Sequence, residues 1–180
     1  CTMVESLIAS HRHRERYLFG SIFLWYDTSM TIPIEKQEEL IRRAMALAAQ
    51  AAQMGNLPFA GILADETGAI VLEATNTVNS TNNAAAHAEI NLLYAAADKL
   101  GTNNLSNYIF ISNAASCPMC ITALIKAKIT QFYYGAPNER AMVPNIMMDE
   151  VIARVPFLVE VHGGILADEC AAQVRELAKR

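Results

Sequence analysis

Two short motifs, His87-Ala88-Glu89 and Cys117-Pro118-Met119-Cys120, each stand at the start of a predicted helix, with one predicted strand between them. No other feature constrains the chain as much. Each motif alone is weak, because a lone histidine is usually structural and a C-x-x-C can be a redox pair or half of a zinc site. Together they require two helix N-termini to present their side chains in the same structural context. The first helix is expected over about 85–100, with Ile90, Leu93, Tyr94 and Ala97 as its apolar face and Gly101 as its stop. A strand over 108–111 and a helix over 117–128 follow.

The flanking chain supplies the rest of an α/β pattern. Leu40, Ile41, Ala44, Met45, Leu47 and Ala48 recur at helical spacing after Pro33, predicting a helix over about 34–54. Segments 59–64 and 69–74 flank Asp65-Glu66-Thr67-Gly68 and read as a hairpin. Segment 75–83 is rich in Asn, Ser and Thr, whose side chains bond nearby backbone in loops and at helix starts. Beyond the cysteines the pattern predicts a strand over 129–134, a loop over 135–145, a helix over 146–153, a strand over 157–161 and a last helix over 166–179. Helix, hairpin, then alternating helix and strand make a mixed sheet covered by helices. With 180 residues, 53% of them apolar, the chain can bury one core.

The first thirty residues read differently. A basic stretch, His11-Arg12-His13-Arg14-Glu15-Arg16, precedes an apolar run from Tyr17 to Tyr26. Ten residues cannot span a bilayer, which takes about 20, and no small-residue cleavage site follows the run. The expectation is an N-terminal extension over 1–30, an arm that packs its aromatics on the domain or on a partner subunit. The enzyme proper would then begin near Met30 and occupy 31–180.

The net charge is −4 and the pI about 5.6, so neither a nucleic acid nor a membrane surface is favoured as partner. A small neutral substrate fits better. The four cysteines stand at 1, 117, 120 and 170. That spacing is no disulfide framework and points to a metal or redox site in a reducing, cytoplasmic setting.

Zinc accepts imidazole and thiolate ligands, and a catalytic site uses three protein ligands and leaves the fourth position for water. His87, Cys117 and Cys120 meet that count. Helix N-termini lower thiol pKa and favour the thiolates that a metal requires, and Pro118 suits a first helical turn. A structural site would need a fourth ligand from Cys170, Cys1 or a distant histidine, giving a zinc-stabilised interaction module. A redox pair would leave the His-x-Glu unexplained. Glu89 projects roughly 200° around a helix from His87, which argues against chelation beside it and leaves it able to border the open position, where a carboxylate can carry protons. The plainer alternative is that it stabilises the helix N-terminus.

These residues resemble the cytidine deaminase-like superfamily, with its H-x-E followed by C-x-x-C. Within it, the stretch from Asn76 to Glu89 is similar to guanine deaminases and next to bacterial tRNA adenosine deaminases. Pro58-Phe59 looks like the first core strand and Phe132-Tyr133-Tyr134-Gly135 like the strand after the cysteine helix. The resemblance covers about 34 to the C-terminus. It implies a three-layer αβα sandwich on a five-stranded mixed sheet, a bound Zn2+ and a homodimer. The implied activity is hydrolytic removal of ammonia from a free nucleobase or nucleoside, guanine first, with cytosine or tRNA adenosine as alternatives. Asn76 would meet the base edge, its amide offering donor and acceptor, though a turn role stays open for it. The implied substrate contacts extend to Phe59, Ala88 and an acidic residue beyond the Tyr-Gly strand: Glu139, Asp149 or Glu150. Two departures stand out. Ser116 precedes the first cysteine where relatives usually carry Pro, and Asn83-Ala84 stands where they often show Asp-Pro. These bear on the substrate and leave the ligands untouched.

Overall fold

A computed structural model of the chain describes residues 14–19, 22–27, 31–137 and 146–179, with backbone alone for 14–27. The chain divides into two units, Cys1–Ile32 and Pro33–Arg180. In the first, β1 (Arg14–Phe19) pairs antiparallel with β2 (Ile22–Asp27), Arg14 opposite Asp27 and Phe19 opposite Ile22. The apolar run expected to form an arm is therefore strand-forming, as its β-branched and aromatic content favours.

The second unit opens with α1 (Ile34–Gln53), whose first turn follows Pro33 and carries Glu35. Its buried face runs through Leu40, Ile41, Ala44, Leu47, Ala48 and Ala51, the periodicity read from the sequence. The hairpin of β3 (Ala60–Asp65) and β4 (Ile70–Thr75) lies one residue later than expected. Its turn is closed by Asp65, whose Oδ1 accepts from Thr67 N, Thr67 Oγ1 and Ala69 N, and by Gly68 at φ 83°. After a single turn of helix, α2 (Val78–Thr81), come α3 (Ala88–Leu100), β5 (Tyr108–Ala114), α4 (Pro118–Lys126), β6 (Gln131–Ala136), α5 (Met148–Ile152), β7 (Glu160–Gly163) and α6 (Ala167–Leu177). Among the described residues no helix is long and apolar enough to cross a membrane.

The five strands order as β4-β3-β5-β6-β7; β3 is antiparallel to both β4 and β5, whereas β5, β6 and β7 run parallel. Successive side chains alternate faces, so the register produces two sets of rows. Leu63, Phe110, Phe132 and Val161 lie in one. Its Leu63, Phe110 and Phe132 form a core with Leu92 and Ala96 of α3 and Ile121 and Leu124 of α4. Ile62, Ile111, Tyr133 and His162 lie in the other, toward α1 and α6, with Tyr133 stacked on His162 at 4.6 Å. Helices on both faces of a mixed five-stranded sheet give the expected three layers.

The expected apolar face of α3 is corrected. Ala88, Glu89, Leu92 and Ala96 are buried, while Tyr94 is 73% exposed, Ala97 is exposed, and Ile90 and Leu93 are half-buried. Ranking by side-chain size favours the larger residues, but a helix seated close on a sheet turns its small residues inward. On the same face Gly61 makes room for a side chain of the neighbouring strand: a Cβ there would lie 2.9 Å from the Phe110 ring. The helix also begins at Ala88 rather than near 85, because Asn83 holds a turn by accepting from Ala85 N at its side chain and Ala86 N at its carbonyl.

Candidate metal and proton-transfer site

Strand directions place the site. Because β4 and β5 both run antiparallel to β3, they point the same way, and the helices that follow them begin at one end of the sheet. His87 is the N-cap residue of α3 and Cys117 that of α4. Their extended backbones (ψ 157° and 164°) turn both side chains off the helix ends. Pro118 occupies the first turn of α4, and Ile121 N donates to Cys117 O to start the helix.

His87 Nδ1 lies 3.6 Å from Cys117 Sγ and 3.5 Å from Cys120 Sγ. The three donor atoms sit within 4.8 Å of one another, and among the described residues they form the one such group of His, Cys, Asp or Glu side chains. One imidazole and two sulfurs at this separation fit zinc, with three ligands supplied and a fourth position left over. The hydrogen bond from the Cys120 thiol drops the Cys117 pKa to about 4, with His87 helping and burial opposing. Cys120, as the donor, is pushed up, and its burial adds to this. The bond to Cys117 raises the His87 pKa. The pair therefore carries its negative charge on Cys117, facing an imidazole.

Glu89, in the first turn of α3, is 7% exposed. Burial raises its carboxyl pKa, against the opposing pull of its own backbone N–H and of the Ser116 hydroxyl, which donates to it. A buried carboxyl beside a metal-ligand set, its pKa raised by burial, is a group suited to proton transfer.

Of the other expected residues, Asn76 is buried, its Oδ1 accepting from Val78 N at 3.1 Å and its backbone N donating to Phe59 O at 2.9 Å. The turn role is thus present, and it uses the Oδ1 half of the amide. Phe59 is half-buried where β3 begins, and Ala88 is buried between His87 and Glu89. Glu139 lies outside the described residues; Asp149 and Glu150 sit in the first turn of α5. Cys170 does not join the ligands: it is buried on α6, beside Ile165 O and over Gly135. The fourth ligand required of a closed structural site does not come from it.

Three supporting residues escaped the sequence reading. Asn113, fully buried at the end of β5, accepts from Ala60 N and donates to Pro58 O. Asn91 donates from Nδ2 to Thr75 O, Thr77 Oγ1 and Ala86 O, tying the loop before His87 to α3. Asn56 accepts from Ser80 N, fixing α2 to the end of α1. Asparagine is disfavoured in strands and helix interiors, and that anomaly is the signal that could have found Asn113 and Asn91.

Residues 34–136 match the family described as the cytidine and deoxycytidylate deaminase zinc-binding region. The chain belongs to this deaminase family. Its metal-ligand set is therefore a zinc set. The tRNA(Ile)-lysidine synthase of Deinococcus radiodurans is 32% identical over 83% of this chain, which spans only 26% of that protein. The guanine deaminase of Bacillus subtilis is 31% identical, over 58% of this chain and 67% of its own. Deaminases specific for tRNA adenosine are also similar. In fold, the chain resembles the solved guanine deaminase of Nitrosomonas europaea, with a TM-score of 0.68 at 24% identity, covering 79% of this chain and 85% of that one.

Proposed function

We propose that residues 31–180 form a zinc-dependent hydrolytic deaminase of a free nucleobase or nucleoside, with guanine as the first candidate and residues 1–30 as an appended arm. The observation that carries the reading is Glu89, buried with a raised pKa two residues from a His/Cys/Cys donor set. His87, Cys117 and Cys120 would hold the metal, which supplies Lewis acidity and activates a water. Glu89 accepts the water's proton and returns it to the departing amine, so that a ring C–NH2 and water become C=O and ammonia. Asn76 Nδ2 orients the ring edge, with Phe59 and Ala88 beside it. Glu139 is proposed as the acidic group that reads a purine. The 31% identity to a guanine deaminase and the net charge of −4 support a small substrate. The half-buried and exposed apolar side of α3, at Ile90, Leu93 and Tyr94, supports a homodimer, and the thiol pair suits a reducing cytoplasm.

The similarity to tRNA-specific adenosine deaminases favours a second reading, deamination of tRNA adenosine. Ammonia release measured across guanine, cytosine, adenosine and unmodified tRNA decides between them. Release from guanine is expected. Release from tRNA alone, with binding that weakens steeply as salt rises, would establish the second reading instead.

A further inference from the structure

Ser116 sits directly before the ligand Cys117 and is 3% exposed. Its backbone has little freedom. Ala115 N donates to Ala136 O at 2.8 Å on one side, and Cys117 O accepts from Ile121 N at 3.0 Å on the other. The hydroxyl is thus aimed by β6 and by the first turn of α4, and it donates to the Glu89 carboxylate. Glu89 belongs to a different element, the first turn of α3, where its own backbone N–H also bonds the carboxylate. The terminal torsion of a glutamate is broad and roughly twofold. A single donor leaves a carboxylate free to swing about that bond; two donors arriving from separate elements fix its plane. The Cys120 thiol also donates to this carboxylate, but as a zinc-bound thiolate it would have no proton to give, so in the metal-loaded protein serine supplies the second donor where an alanine, or a proline, could not.

We propose that Ser116 is the positioning residue for Glu89: its hydroxyl, held by β6 and α4, fixes the plane of the carboxylate so that one oxygen faces the reacting centre. Ser116 thereby controls turnover and leaves substrate affinity and metal retention alone. The inference rests on the proposed role of Glu89 as proton carrier.

The test compares Ser116→Ala, Ser116→Thr and Glu89→Gln, each zinc-loaded, for kcat and KM on guanine, for bound zinc, and for the solvent deuterium effect on kcat. Loss of a hydrogen bond to a charged group predicts a drop in kcat of about ten- to a hundredfold in Ser116→Ala. KM and zinc stoichiometry should stay within about twofold, and the deuterium effect should grow as proton transfer becomes limiting. Ser116→Thr, which keeps the hydroxyl, is expected to recover most of kcat. If Ser116→Ala does not fold, Ser116→Gly serves as the hydroxyl-free variant with the same expectation. A kcat within twofold of the parent, a loss that tracks missing zinc, or a rise in KM alone overturns the positioning role while a dead Glu89→Gln leaves the proton-carrier reading standing. Full activity in Glu89→Gln, or a parent protein that releases no ammonia from any of guanine, cytosine, adenosine and tRNA, overturns both.

Discussion

Cys117 and His87, 30 residues apart in sequence, meet with Sγ 3.6 Å from Nδ1, each at the N-terminus of its own helix. The contact polarises the site before any metal arrives. With a pKa of about 4, Cys117 is a thiolate at neutral pH, whereas burial pushes Cys170 up to about 11. In metal-free protein at pH 7, iodoacetamide should therefore label Cys117 first and leave Cys170 unlabelled until the chain unfolds. Zinc should protect Cys117. Peptide mass spectrometry reads the order, and preferential labelling of Cys170 would contradict the charge assignment.

Glu89→Gln should retain zinc and lose roughly 10²- to 10⁴-fold in kcat, the range expected for a lost general acid–base group. The same residue makes a stability prediction. Its native pKa is raised, so the folded state holds the proton more tightly than the unfolded chain. That contribution is present at low pH and is lost as pH rises through the native value. Metal-free Glu89→Gln, which needs no such proton, should consequently melt higher than the parent at pH 7 to 8. The difference should shrink toward about pH 4, the ordinary glutamate range.

Removing the amide in Asn113→Ala strands the Ala60 N–H and the Pro58 carbonyl at the buried start of β3. A cost of about 1–3 kcal/mol in urea unfolding is expected for the unsatisfied groups. Because Asn76 N bonds Phe59 O in the same segment, KM should rise as well. A stable variant with unchanged KM would show that β3 needs no such pin.

Cys170→Ser should keep one zinc per chain by atomic absorption, since the thiol lies outside the ligand group. Loss of zinc in this variant would restore the closed structural site. Gly135→Ala is expected to be the harsher change. An added Cβ would stand 2.8 Å from the Asn113 carbonyl, a backbone atom that cannot step aside. Overpacking of this kind costs about 1–3 kcal/mol.

Much of this architecture is legible from pattern alone. The α1 stripe, the hairpin around Asp65 and the two motifs at helix starts all depend on local spacing, so the expectations for them hold within a few residues. Residues that work by reaching across the fold were not legible. Asn113 spans 53 residues to Ala60, and the Ser116 hydroxyl finds a carboxylate on another helix. The buried face of α3 is hidden from pattern because Ala88 and Ala96 carry little hydrophobic signal, although they let the helix approach the sheet. Glu139 was proposed by likeness and lies outside the described residues.

The three acceptors gathered by Asn91 carry a consequence for anyone redesigning this protein. Thr75, Thr77 and Ala86 bracket the stretch that contains Asn76, and the residue that gathers them stands one helical turn beyond His87. The Asn76 loop and the metal ligand are thus mounted on a single bracket. A loop grafted from a relative to change substrate would drag the imidazole with it unless its own anchors to the helix were transplanted too.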